Sequence, residues 1–98
     1  MAVAVILEFD GTTLEQYDEI NRLMGLIPGG PGPAGSISHW ATMTDKGLQV
    51  TDVWESREQF DAFAQEKIMP LSVQAGFAGP PKLTFHDVHN YYTPGNSA

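Results

Sequence analysis

The chain has 98 residues and no cysteine. Disulfides, thiolate metal sites and a cysteine nucleophile are therefore excluded. Basic residues are scarce: five Lys and Arg stand against twelve Asp and Glu, for a net charge of −7. The five are scattered, so no basic stripe exists to meet nucleic acid or an anionic membrane surface. No apolar run is long enough to span a bilayer. The expectation is thus no nucleic-acid partner and no membrane partner. The apolar run Ala2–Leu7 lacks a basic leader and goes straight into Glu8 and Asp10, so it reads as a strand rather than a signal peptide. Cytoplasm is the expected compartment. Phosphate-binding fingerprints are missing too. The Gly-Pro segment has neither the Lys-Ser/Thr of a P-loop nor the glycine spacing of a dinucleotide fold. Ser36 and Ser38 have no nucleophile-elbow context.

What is present points to a single domain over residues 1–92, with a flexible polar tail over 93–98. A core of this size is modest, and a permanent homodimer would add to it. Ala2–Phe9 reads as a central strand, ended by Asp10-Gly11. Thr12 with Glu15, or Thr13 with Gln16, fits a capping box. Leu14, Tyr17, Ile20 or Asn21, and Met24 then recur at helical spacing, with Gly25 as the stop. Pro28–Ser36 is dominated by Gly and Pro and cannot be regular structure. It is a bare connector, or the lid or rim of a pocket, as long loops in small domains often are. Ser56 with Gln59 makes a further capping box, and Phe60, Phe63, Ala64 and Ile68 line one face of that helix. Pro70 limits or kinks it. Lys82–Tyr92 alternates as a last strand.

The most informative segment is the hairpin Ile37–Glu55. A loop at Thr44–Gly47 pairs Met43 with Leu48, Ala41 with Val50, His39 with Asp52 and Ile37 with Trp54. The other face then holds Thr42 with Gln49, Trp40 with Thr51 and Ser38 with Val53. The alternative, a bulged loop with Gly47 left-handed, mixes polar and apolar residues on each face. Patterning favours the first register, which sets a His–Asp pair among apolar residues.

The order β-α-β-β-α-β is that of an α+β, ferredoxin-like domain with an antiparallel four-stranded sheet and both helices on one face. Yet Val3, Val5, Leu7 and Phe9 alternate with Ala2, Ala4 and Ile6, so both faces of the first strand are apolar. A sheet covered on one side only should be polar on the other. A second copy is the simplest cover. On Val3–Phe9, on Asp45–Phe60 with its Trp-Glu-Ser-x-Glu helix start, and on the strand ending Val88-His-Asn-Tyr-Tyr, the chain resembles the dimeric α/β barrel proteins. Within these it is similar to the small antibiotic-biosynthesis-monooxygenase-like domains. The resemblance implies a homodimer with sheets packed face to face and a small-molecule cavity between each sheet and its helices.

Opposite neighbours on paired strands have Cβ atoms about 4.5–5.5 Å apart, which lets Asp52 hold one nitrogen of His39. The other nitrogen is then a base or donor towards a pocket. The same pair could equally serve only to fix strand register. On the last strand, His89 and Tyr91 alternate in phase with Leu83 and Phe85, which selects them as inward. His39, His89 and Asp52 come from separate strands without ligand spacing, so no metal and no cofactor is assigned. In the resembling monooxygenases a Trp at the place of Trp54 lines the substrate cavity; a core role under the second helix explains it as well. The haem-degrading branch uses a His on the second helix and an Asn on the first strand, and neither is here. The resemblance to the quinone-forming branch implies an enzyme, free of metal and flavin, acting on a small aromatic or polyketide-like molecule. His39 and Asp52 are the catalytic candidates. Tyr17, Trp54, His89 and Tyr91 are the substrate-binding candidates. A non-catalytic small-molecule-binding dimer and a structural module are the alternatives.

Overall fold

Alternation along the first strand decides the sheet. Val3, Val5, Leu7 and Phe9 are buried on one side of β1 (Val3–Asp10), and Ala4, Ile6 and Glu8 are half-buried on the other. The computed structural model describes residues 1–93 of the chain. β1, β2 (Ser36–Thr44), β3 (Gly47–Trp54) and β4 (Lys82–Asp87) form one antiparallel sheet in the order β2-β3-β1-β4. A helix α1 (Leu14–Met24) joins β1 to β2, and a longer helical run joins β3 to β4. This is the expected α+β, ferredoxin-like arrangement. Apart from Thr93, the expected C-terminal tail lies outside the described residues.

Local chemistry sets the helix ends. α1 takes the second of the two capping alternatives. Thr13 Oγ1 accepts from Gln16 N–H, and Gln16 Oε1 accepts from Thr13 N–H. Gly25 ends it in the left-handed conformation at φ 75°. Ser56 caps α2 (Arg57–Phe63) by accepting from Gln59 N–H, but the reciprocal half of the expected box is absent. Gln59 Oε1 instead accepts from the Ser56 hydroxyl itself. α2 runs on through a π-helical turn, Ala64–Ile68, into α3 (Met69–Gln74). Pro70 has no N–H to give to the preceding turn. The chain widens just before it, and Met69 N–H bonds Ala64 O, five residues back.

Two strand expectations are corrected. Ile37 does not face Trp54: a bulge between Ser36 and Ser38 leaves it unpaired and puts Ser36 opposite Trp54. Gly35 O accepts from Glu55 N–H at 2.8 Å and fixes the chain's entry one residue out of step. The last strand ends at Asp87 rather than Tyr92. Among the described residues β4 has β1 as its one neighbour, and β1 starts at Val3, the partner of Asp87. A final bond from Val88 N–H to Ala2 O exhausts the partner strand.

The core lies between the sheet and the helices. Val3, Val5, Leu7 and Phe9 of β1 meet Leu48, Val50 and Trp54 of β3 and, from above, Phe60 and Ile68. The hairpin turn is tied into this packing at Gly47, with φ 141°. A Cβ there would lie 2.6 Å from Phe9 O and 2.7 Å from Gly11 N. Both are backbone atoms that cannot swing aside. Gly47→Ala is therefore expected to cost about 2 kcal/mol of folding free energy, by strain and clash together. Urea unfolding checks this, and a loss below about 0.5 kcal/mol would contradict the close approach.

Candidate functional site

The site begins with strand register. His39 and Asp52 are opposite neighbours on β2 and β3, as the hairpin pattern requires. Asp52 is only 5 % exposed, and a buried carboxylate must have partners. It has two. His39 Nδ1 lies 2.6 Å from Oδ1, and Trp54 Nε1–H donates to Oδ2 at 3.1 Å. An ionised carboxylate only accepts, so the proton of the bond to Oδ1 is on Nδ1, the tautomer a neutral imidazole takes here. That leaves the lone pair of Nε2 pointing the other way. There it meets Tyr17 of α1: the Tyr17 hydroxyl lies 2.6 Å from Nε2, and in this tautomer the hydroxyl donates and Nε2 accepts. The two rings are almost parallel, at 7°, with centroids 6.1 Å apart. The hydroxyl bridges the two rings through its bond to Nε2.

The result is one continuous chain of hydrogen bonds, Tyr17–His39–Asp52–Trp54, drawn from α1, β2 and β3. Asp52 is shut off from solvent, whereas the His39 side chain is 41 % exposed. All four residues line a cavity of about 520 Å³. This lies within the range that holds one small organic molecule, about 300–1,000 Å³. The floor is Leu7, Phe9, Leu48 and Val50 of the sheet. Ile20, Asn21 and Met24 of α1 form one wall, and Phe63, Ile68 and Phe77 form another. The rim is the segment from Leu26 to Pro33, which gives the Gly-Pro loop the pocket-edge place that was one of its two expected roles. Phe63 and Ile68 flank and end the π-helical turn, so the widened turn borders the cavity.

Of the residues singled out from the sequence, Tyr17, His39, Asp52 and Trp54 come together. His89 and Tyr91 do not join them. Both follow the end of β4, both are exposed, and neither lines the cavity. Phe85, whose phase selected them, does turn to the helices and packs edge-on against Phe60 with centroids 5.7 Å apart. Sequence reasoning missed Phe77, a loop residue held by an edge-to-face contact with Phe9 at 5.0 Å. No periodicity marks it. Among the described residues no group of three or more His, Asp and Glu is placed to hold a metal ion. Away from the cavity, the Arg22 guanidinium hydrogen-bonds Glu19 on the exposed side of α1 and holds that carboxyl below its ordinary range.

No protein-family model and no curated protein sequence matches the chain. Solved structures do. A monooxygenase from the gene ActVA-Orf6 of Streptomyces coelicolor, in complex with the ligand nanaomycin D, is 22% identical. The match covers 95% of this chain and 91% of that one, with a TM-score of 0.57. A candidate antibiotic biosynthesis monooxygenase from Chloroflexus aurantiacus is 16% identical over 97% of this chain and 100% of its own, with a TM-score of 0.59. A protein of unknown function from Nitrosomonas europaea is 16% identical over 95% of this chain and 92% of its own, with a TM-score of 0.58. At these identities the likeness is one of fold, and the fold of this chain is the ferredoxin-like fold of antibiotic-biosynthesis-monooxygenase-like proteins.

Proposed function

We propose that the cavity binds a small hydroxylated aromatic or polyketide-like molecule and that the protein is a cofactor-independent, monooxygenase-like enzyme. The observation that carries this reading is the Tyr17–His39–Asp52–Trp54 chain on the wall of a mainly apolar cavity. The ligand-bound Streptomyces monooxygenase of the same fold adds support. In the reaction, the His39–Asp52 pair takes or polarises the proton of a substrate hydroxyl. The resulting electron-rich ring reacts with dioxygen at the carbon para to the oxygen. One oxygen atom becomes the second quinone carbonyl. The other leaves as water with the hydroxyl hydrogen and the ring hydrogen. Tyr17 and Trp54 lie against the ring, and the Pro28–Ser36 loop keeps water out. His89 and Tyr91 drop out of this reading because they stand away from the cavity.

The test uses 1-naphthol, which has a free para carbon, with nanaomycin D as a second ligand. Binding is read by tryptophan fluorescence and turnover by oxygen uptake with quinone formation. Binding with uptake that His39→Ala abolishes is the expected result, a fall of about 10²–10⁴-fold. Binding of either compound without uptake would leave a non-catalytic binding protein. Failure to bind either would remove the small-molecule reading.

The working unit of this reading is a cytoplasmic homodimer of single domains, residues 1–92, built on the outer sheet face. The row Trp40, Thr51, Ile6, Thr84 and the row Ser38, Val53, Ala4, His86 cross that face, with polar Thr42, Gln49, Glu8 and Lys82 at one end. Trp40 is 52 % exposed there. A large exposed indole on a face that also carries Ile6 and Ala4 is the kind of surface a partner copy covers. Trp40→Glu is expected to convert a dimer to a monomer in light scattering. A wild-type protein that is monomeric at micromolar concentration would defeat the dimer.

A further inference from the structure

Asp52 and Tyr17 between them leave His39 no free nitrogen. Nδ1–H is spent on Asp52 Oδ1, and the Nε2 lone pair accepts from the Tyr17 hydroxyl, both at 2.6 Å. A substrate hydroxyl that approaches this wall meets an imidazole already saturated. What remains open is the second lone pair of the Tyr17 oxygen, because a phenolic O–H can accept while it donates. Tyr17 is half-buried and lines the cavity. It comes from α1, whereas the His–Asp pair is fixed by the hairpin.

Resting on the proposal that the cavity takes a hydroxylated aromatic, we infer that Tyr17 is the catalytic group that meets the substrate and relays its proton to His39. The substrate O–H donates to Tyr17 Oη. As its proton transfers, the Tyr17 O–H bond breaks and that proton goes to His39 Nε2. Tyr17 ends as it began, a neutral phenol. The substrate ends as a phenolate, and the imidazolium that forms is held by the Asp52 carboxylate. No net charge is created and no oxidant is consumed. The advantage is positional: the relay carries charge from the cavity to a buried carboxylate without any side chain leaving its place. Trp54 Nε1–H on the far oxygen keeps Asp52 from rotating to meet the substrate itself.

The competing arrangement has the substrate displace Tyr17 and touch His39 Nε2 directly. Tyr17→Phe separates the two. The variant keeps the ring and its packing and removes only the oxygen. The experiment is done under argon, so that no oxidation follows. Wild type, Tyr17→Phe and His39→Gln are each saturated with 1-naphthol at neutral pH. The ionised fraction of the bound probe is read from the absorption of the naphtholate, and affinity from tryptophan fluorescence. The relay predicts that Tyr17→Phe, once saturated with 1-naphthol, loses at least about tenfold in the ionised-to-neutral ratio, one pKa unit of the probe. His39→Gln should lose as much. If Tyr17→Phe keeps or raises the ionised fraction while His39→Gln loses it, His39 takes the proton itself. The relay is then overturned while the proposed function stands. If wild type binds 1-naphthol without ionising it, or does not bind it, the relay falls together with the reading beneath it.

Discussion

Replacing Trp54 by alanine is expected to remove about 3–5 kcal/mol of folding free energy, the cost of emptying a large aromatic site. Total stability of a small domain is about 5–15 kcal/mol, so the variant should unfold at low urea or fail to fold at moderate temperature. Trp54 is 1 % exposed and sits where three supports converge. Phe60 packs edge-on against it at 5.8 Å, and Phe63 lies tilted over it at 5.3 Å. Its indole N–H satisfies the buried carboxylate of Asp52. Trp54→Phe separates packing from the hydrogen bond. It keeps an aromatic ring but leaves Asp52 Oδ2 without a donor, and should cost about 1–3 kcal/mol. Urea unfolding at one fixed protein concentration measures both, since any association would shift apparent stability. A Trp54→Ala variant within about 1 kcal/mol of wild type would mean that the cavity wall is supported elsewhere.

The double duty of Trp54 explains why the site was partly legible. The hairpin states its own register: Gly47 closes a turn that no larger residue fits, alternation puts Leu48, Val50 and Trp54 on a single face of β3, and the observed register sets Met43 and Ala41 opposite the first two. Once those are inward, Asp52 must be inward too, and His39 must face it. That inference needs only period-two alternation and a turn. The Tyr17 contact needs more. A helix stripe tells which side of α1 faces the sheet, but not how far along β2 the helix is set, and that is fixed by packing across the whole layer.

The last strand fails for the opposite reason. Its alternation runs on to Tyr92, so periodicity alone carries His89 and Tyr91 inward. A strand, however, extends only as far as its neighbour, and β1 gives out at Val3. Nothing in the sequence of β4 records where β1 begins. Likewise, the bulge at Ile37 is set by the bond between Gly35 O and Glu55 N–H, a contact between segments on either side of the hairpin. Fold and pairing were therefore readable from local pattern. Strand ends and the third partner of the site depended on elements distant in sequence.

Asp52→Asn tests the chemistry at its root. A carboxamide offers one acceptor oxygen where the carboxylate offers two. Trp54 Nε1–H and His39 Nδ1–H would then compete for it. Trp54 is buried and rigid, so its claim on the oxygen is met and the amide NH₂ turns to His39 Nδ1. An NH₂ group can only donate, which forces the imidazole proton onto Nε2. Nε2–H now faces the Tyr17 oxygen, and the direction of the whole hydrogen-bond chain reverses. The nitrogen that was to receive a proton already carries one. The loss expected is about 10²–10⁴-fold in oxygen uptake with 1-naphthol, the usual worth of a positioned general base. Folding should lose only about 1–2 kcal/mol, because every buried group still has a partner. The contrast between the two readouts is what decides. If Asp52→Asn loses stability yet ionises bound 1-naphthol and takes up oxygen as wild type does, the His–Asp pair serves to fix the register of the hairpin and the base lies elsewhere. If activity collapses while folding loses no more than that roughly 1–2 kcal/mol, the pair is kept for its chemistry.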